Sequence, residues 1–362
     1  MCMHAFSSDD VIEKLHLNSR QRPLVYHPDY NVSAFGIEHF HPFDSSKWKR
    51  VIDFLKEWEL ITDEAIIEPT LPTFEELKRV HDRKYLKSVR NPIKAAQIVE
   101  VGFVGCLPPC VIESKLLHPL RMQAGGSVLA ANLALKYGWS INVGGGFHHA
   151  SRRFLKLLLI YPGMVIIIII LKQTGSTGGG FCFYADITMA IRDLFDRKMI
   201  TNAIVVDLDA HQGNGHARDF ADDEHVFVFD VFNPYVYPHD REARQFINKA
   251  VHVDRHTKDT SYLSQLRKQL TKCLSDHEFD FILFNAGTDC LYGDPLGAMN
   301  LSPQCIIARD ELVFNLAKLR GIPICMLTSG GYQKNNALLI AESIENLHMK
   351  KLINLNGSHT FQ

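Results

Sequence analysis

Asp207, Asp209 and His211 fall at every second position of the run AIVVDLDAH, and Asp289 closes a separate apolar run, FILFNAGTD. Side chains of an extended strand repeat their direction every second residue, so the first three could face one side. One histidine and one carboxylate from this run, joined by Asp289, would make a three-ligand metal site with a position left open, as hydrolytic zinc requires. Two carboxylates and an imidazole are hard to borderline donors, which suits Zn²⁺ or Fe²⁺ and not a soft thiolate-seeking ion. A strand end whose acids only cap a helix or meet solvent shows the same short pattern, so the surrounding residues must decide.

Those surroundings point the same way. His148 and His149 follow three glycines, Gly144 to Gly146, and Tyr332 follows Gly330 and Gly331. On a regular strand adjacent histidines point to opposite faces, so one of the pair is expected to lie deeper. A buried histidine needs a partner that fixes its tautomer, and Asp207 for His148 and Asn214 for His149 are the candidates. Tyr332 could donate a hydrogen bond to a developing oxyanion. The glycine triplets at 144–146 and 178–180 match neither phosphate-binding spacing and read as backbone that approaches a narrow channel. Cys106 and Cys110 lack a second ligand pair for a structural zinc.

The elements that must hold these residues are short apolar runs alternating with amphipathic stretches: RPLVYH, SINV, AIVVDLD, HVFVFDV, FDFILFNAG and IPICMLTSG, with helical patterns at 48–60, 186–195 and 261–274. This alternation predicts an α/β domain, a single open, mainly parallel sheet flanked by helices on both faces. In such sheets the ligand crevice lies at the carboxyl ends of the strands, where the candidate residues sit. One domain over 22–350 is expected, between an N-terminal extension (1–21) and a C-terminal tail (351–362). With 39 basic and 40 acidic residues, no global field favours nucleic acid, and no direct nucleic-acid binding is expected. Eight scattered cysteines and no apolar leader over residues 1–20 point to reduced thiols in the nucleus, the cytoplasm or both. The cluster Lys47-Trp48-Lys49-Arg50 is too short to assign a nuclear address.

Taken together, HPFDSSKW, GWSINVGGGFHH, GGGFCFYADIT, DLDAHQGNGH, NAGTDCLYGDPLG and TSGGYQK resemble, in order and spacing, the zinc-dependent histone deacetylases, most closely the class IV type. The resemblance spans roughly residues 22–347. It implies an arginase/deacetylase-like fold, with Asp209, His211 and Asp289 as zinc ligands, His149 as general base, His148 as its electrostatic partner and Tyr332 as carbonyl polariser. It places Phe181, Tyr237 and Leu296 along an acyl-lysine tunnel with Gly180 beside the substrate amide, and it implies a monovalent cation near Asp207. Asn214 stands where class I relatives carry Asp. The implied substrates are acyl-lysines of histone tails or other proteins, long fatty-acyl chains included, and the implied partners are chromatin-regulatory complexes.

Residues 150–177 depart from the pattern, because relatives pass from the histidine pair to GGGFC in a few residues. This insert is rich in Leu, Ile, Phe and Lys, and the run Phe154–Leu171 nearly has the length and apolarity of a membrane span. Lys156 and Pro162-Gly163 interrupt it, and a true span would separate motifs that form one site, so no membrane span is expected. Part of the insert reads as a translated AT-rich intron, which sequencing the transcript would decide; a genuine insert reads as an apolar lip. Two other readings stay open. A ureohydrolase of the same fold carries a further Asp where this chain has Gly213, so a single metal is expected, with acylated polyamine as an alternative substrate. A disturbed site would leave a catalytically impaired binding protein.

Overall fold

Val, Ile, Phe and Leu dominate the strands because their sheet is covered on both faces. In this computed structural model, residues 14–32, 44, 46–152, 156–160, 167–171 and 176–356 are described. The strands are β1 (Leu24–Val25), β2 (Ile66–Ile67), β3 (Trp139–Asn142), β4 (Lys156–Ile160), β5 (Ile167–Leu171), β6 (Ala203–Asp207), β7 (Val226–Phe232), β8 (Lys249–His252), β9 (Phe281–Asn285) and β10 (Ile324–Leu327). Eight of them form one sheet in the order β2-β1-β3-β10-β9-β6-β7-β8, every neighbouring pair parallel.

Side chains alternate between two cores. Ile204, Val206, Ile282, Phe284, Ile324 and Met326 face α1 (Lys47–Glu57), α6 (Asp259–Asp276), α7 (Pro303–Arg320) and α8 (Asn336–Met349). Ala203, Val205, Phe281, Leu283, Cys325 and Leu327 face the opposite side with α2 (Pro92–Val99), α3 (His118–Tyr137) and α4 (Asp186–Asp196). The helices start and stop where local chemistry dictates. In α7, Ser302 Oγ accepts from the Cys305 N–H, Pro303 occupies the first turn, and Gly321 closes the helix at φ 65°.

The register matters most for function. Asn142, Leu327, Asn285, Asp207 and Asp230 lie side by side across β3, β10, β9, β6 and β7. The carboxyl ends of these strands are therefore level, and the loops leaving them meet in one crevice.

The edge strands β2 and β8 lie outside the predicted runs, β2 being only two residues long and β8 only partly apolar. Packed structure also extends past the expected domain limits. The Tyr137 hydroxyl donates to Leu15 O (2.7 Å) and accepts from Leu17 N, while Leu352, Ile353 and Leu355 are buried in the first core.

Among the described residues of the apolar insert, pairing is within the insert, and β4 and β5 form a two-stranded sheet separate from the main one. Ser151 and Thr177 exchange backbone hydrogen bonds of 2.9 and 3.0 Å, and beyond them β4 and β5 pair antiparallel from Lys156↔Leu171 to Ile160↔Ile167. No helix among the described residues is long and apolar enough to cross a membrane.

Candidate metal centre

The site begins where β6 stops. The strand ends at Asp207, and the chain then bends, so the expected common strand face is replaced by a turn. This separates the three residues: Asp207 turns towards the histidine pair, while Asp209 and His211 meet Asp289. His211 Nδ1 lies 3.1 Å from Asp209 Oδ1 and 2.7 Å from Asp289 Oδ2. One ligand atom from each of the three lies within 4.8 Å of the others, and all three residues are buried.

A buried pair of facing carboxylates beside one imidazole calls for a cation. Burial and the Asp209 carboxylate push Asp289 up to about 7. Asp209 is held well below the ordinary carboxylate range, because His148 and His211 outweigh the opposing effect of its burial. The chemistry and spacing of these donors fit a small divalent ion such as Zn²⁺.

The turn that delivers the histidines depends on glycine. Gly145 and Gly146 adopt φ of 73° and 80°, and a Cβ on Gly146 would meet Asn285 Oδ1 at 2.3 Å. Asp186 accepts the N–H groups of Gly146 and Phe147, both at 2.8 Å, and so holds the backbone that presents the pair. Because this segment is a turn, His148 and His149 both point inward. Their rings lie 4.1 Å apart and both are buried, His148 slightly more than His149.

Their partners drive their proton affinities apart. His148 Nδ1 lies 2.9 Å from Asp207 Oδ2, and burial is outweighed by Asp207 and Asp209, so its pKa rises to about 9. His149 Nδ1 lies 2.8 Å from Asn214 Oδ1, and burial together with His148 and His211 lowers its pKa well below the ordinary value. A proton-holding and a proton-accepting imidazole thus stand side by side, the pattern of an acid–base pair.

Tyr332 completes the ring of functional groups, half-buried, its ring 6.2 Å from His211 and 6.0 Å from Phe181. Burial, then the nearby Asp209 and Asp289, raise its pKa well above the ordinary value, so the phenol keeps its proton. Gly180 takes φ 50° at the channel wall, where a Cβ would meet His149 Cδ2 at 2.5 Å. Tyr237 packs edge-on against His149 at 4.8 Å. Leu296 is half-buried next to this region, tied by its N–H to Asp294, and does not line the cavity described next.

That cavity, about 140 Å³, joins His148, His149, Gly180, Phe181, Asp209 and Tyr332 to an apolar wall that includes Val99, Val101, Phe103, Leu107 and Leu116. At Gly213 a Cβ would meet His216 Nε2 at 2.0 Å and Asp207 Oδ2 at 2.6 Å.

Several supporting residues escaped the sequence reading. Lys47, fully buried, donates from Nζ to Ser329 O at 2.8 Å and to Gly330 O and Gly331 O at 3.3 Å, holding the loop that carries Tyr332. Within the Lys-Trp-Lys-Arg cluster this residue thus belongs to the core, where burial lowers its pKa to about 7. Arg309 donates from Nη1 to Leu208 O (3.1 Å) and Gly287 O (2.6 Å), bracing the two strand exits that bear Asp209 and Asp289. Asp240 accepts from Asn214 Nδ2 at 3.0 Å. No local pattern marks these three. Only Asp186 had a visible signal, an acid at a helix start.

Known proteins resemble this chain along most of its length. The Histone deacetylase domain family matches residues 41–347. "Histone deacetylase 2" of Arabidopsis thaliana is 42% identical over 330 residues, covering 91% of this chain and 79% of its own. "Acetoin utilization protein AcuC" of Bacillus subtilis is 25% identical over 293 residues, 76% of this chain and 68% of its own. The crystal structure of the HDA15 HD domain superposes with a TM-score of 0.69 at 17% identity, covering 94% of this chain and 91% of that one, and so shares its fold.

Proposed function

The chain belongs to the histone deacetylase family, and from that premise we propose that it hydrolyses the amide bond of acylated lysine on histones or other proteins. The observation that carries this reading is that one cavity is lined both by Asp209, a member of the buried Asp-His-Asp cluster, and by a histidine pair whose proton affinities diverge. Asp209, His211 and Asp289 would hold Zn²⁺, which when bound supplies a Lewis acid for the acyl carbonyl and lowers the pKa of water towards ~7.

The remaining steps belong to side chains. His149, neutral, takes a proton from the attacking water, while His148, kept cationic by Asp207, steadies the negative charge that develops. Tyr332 retains its phenolic proton and donates it as a hydrogen bond to the oxyanion. The protonated imidazole then passes its proton to the departing lysine amine. Phe181 and Tyr237 serve as walls of the lysine channel, with Gly180 beside the amide.

We assign the chain to the class IV branch on its motif set. The apolar wall of Val99, Val101, Phe103, Leu107 and Leu116 supports long-chain acyl groups as substrates beside acetyl. A monovalent cation near Asp207, residence in the nucleus or cytoplasm and membership of chromatin-regulatory complexes belong to the same reading.

The test is turnover of lysine peptides carrying acyl chains from acetyl to myristoyl, with zinc content measured in parallel. Asp209→Ala is expected to lose both metal and activity. Zinc-dependent turnover retained in that variant overturns the ligand assignment. Stoichiometric zinc without turnover of any acyl peptide favours a binding protein, and turnover confined to acylpolyamines moves the substrate class.

A further inference from the structure

Asn214 has two chemically different ends, and its neighbours are not equivalent. Oδ1 lies 2.8 Å from His149 Nδ1, and Nδ2 donates to Asp240 Oδ2 at 3.0 Å. A carboxylate accepts hydrogen bonds and cannot donate them, so Asp240 dictates that the amide nitrogen faces it. The end left for His149 is the carbonyl oxygen, which only accepts. Nδ1 must then carry its hydrogen, and the lone pair stays on Nε2, the atom required of a base at the metal.

Asp240 is itself held. Asn214 and Arg218 are four residues apart on the short helix α5 (Asn214–Asp219), so both side chains reach the same partner. Arg218 donates from Nη2 to Asp240 Oδ1 at 3.0 Å and from Nη1 to Oδ2, a two-pronged clamp. The Ala243 N–H donates to Oδ1 at 3.0 Å. Burial would raise the Asp240 pKa, but Arg218, Ala243 and Asn214 bring it below the usual carboxylate value. Tyr237, three residues earlier on the same loop, packs edge-on against the His149 ring at an interplanar angle of 85°.

We propose that Asp240, clamped by Arg218, is a positioning residue that sets the amide orientation of Asn214 and through it the tautomer of His149. The inference rests on the reading of His149 as the base.

Asp240→Asn removes the instruction, because a side-chain amide can either donate or accept. A turned Asn214 would present its NH₂ to Nδ1 and select the Nε2–H tautomer, which cannot take a proton from water. The expected result is a fall in kcat on the order of 10- to 100-fold, with KM and zinc content little changed. The exchange variant, Asn214→Asp with Asp240→Asn, offers His149 a carboxylate that accepts through either oxygen and that the new amide at position 240 can hold by donating to it. It should recover most of the lost kcat. A purely structural role for Asp240 would leave the exchange as impaired as the single variant, since Arg218 lacks its carboxylate in both.

A direct readout is the ¹⁵N NMR shift pair of His149 in zinc-loaded protein, assigned with His149→Gln. Nδ1–H in the native chain, its loss in Asp240→Asn and its return in the exchange support the proposal. An unchanged tautomer in Asp240→Asn, or no recovery in the exchange, overturns it even if the hydrolase reading stands. If no acyl-lysine substrate is turned over, the hydrolase reading fails while the NMR comparison still decides the tautomer.

Discussion

Lys47 Nζ donates to the Ser329 carbonyl at 2.8 Å, linking the start of α1 to the end of β10 across 282 residues. The same Nζ reaches Gly330 O and Gly331 O, so one buried amine lies within hydrogen-bond distance of three consecutive carbonyls just before Tyr332.

Replacing it by methionine keeps the apolar stem and removes the donor to Ser329 O and Gly331 O, while Gly330 O keeps the Thr288 N–H and hydroxyl, both at 3.0 Å. Leaving a buried acceptor unsatisfied costs about 1–3 kcal/mol. Lys47→Met should therefore unfold at lower urea concentration and lose kcat as Tyr332 drifts, with Lys47→Arg much less affected. Unfolding curves and steady-state kinetics check this. Native kcat in the methionine variant would show that the loop holds Tyr332 without the Lys47 amine.

His81 ties stability to pH. It is buried, its Nε2 accepts the Ala185 N–H at 2.9 Å, and burial lowers its pKa from 6.5 to about 3. Above pH 6.5 folded and unfolded chains are both neutral there, and stability is unaffected. Between 6.5 and 3 the unfolded chain binds a proton that the folded chain refuses, so stability falls by about 1.4 kcal/mol for each pH unit. The difference in unfolding free energy between pH 7 and pH 5 should shrink by about 2 kcal/mol in His81→Gln. An equal pH dependence in the two proteins would contradict this environment for His81.

Gly213 offers no carboxylate for a second ion beside Asp209, His211 and Asp289, and we expect that centre to hold a single metal. Gly213→Asp places its Cβ against His216 and Asp207. We expect a less stable protein whose metal content does not exceed one equivalent by elemental analysis. Two bound equivalents in that variant would show that the neighbouring residues can rearrange to admit the ion.

The insert should be removable from its base. Besides the Ser151–Thr177 pair, Arg152 N donates to Asp219 Oδ1 and Ser176 N to Asp82 Oδ2, both at 2.7 Å. Replacing residues 153–175 with Asn-Gly leaves the four-residue connection Arg152-Asn-Gly-Ser176 to close the hydrogen-bonded Ser151–Thr177 pair. The shortened protein is expected to keep its zinc and its acetyl-lysine turnover. Loss of zinc on deletion would show that the insert supports the centre.

The amino-acid sequence by itself determined the strand and helix alternation, because burial on both faces of a parallel sheet demands apolar runs that are visible locally. It also contained the metal-ligand types and the family motifs, since Asp207, Asp209 and His211 lie within five residues. It could not show that the chain bends after Asp207, which sends that carboxylate to His148 while its neighbours turn to Asp289. Nor could it show why both histidines point inward, which follows from a glycine turn held by Asp186. Lys47, Arg309 and Asp240 were legible only in three dimensions. Each satisfies a polar group far away in sequence or across a loop, and such pairings are decided by which strand ends lie level and which loops then meet. Periodicity records how a residue relates to its near neighbours; the partner of a buried charge is chosen by the packing of the whole sheet.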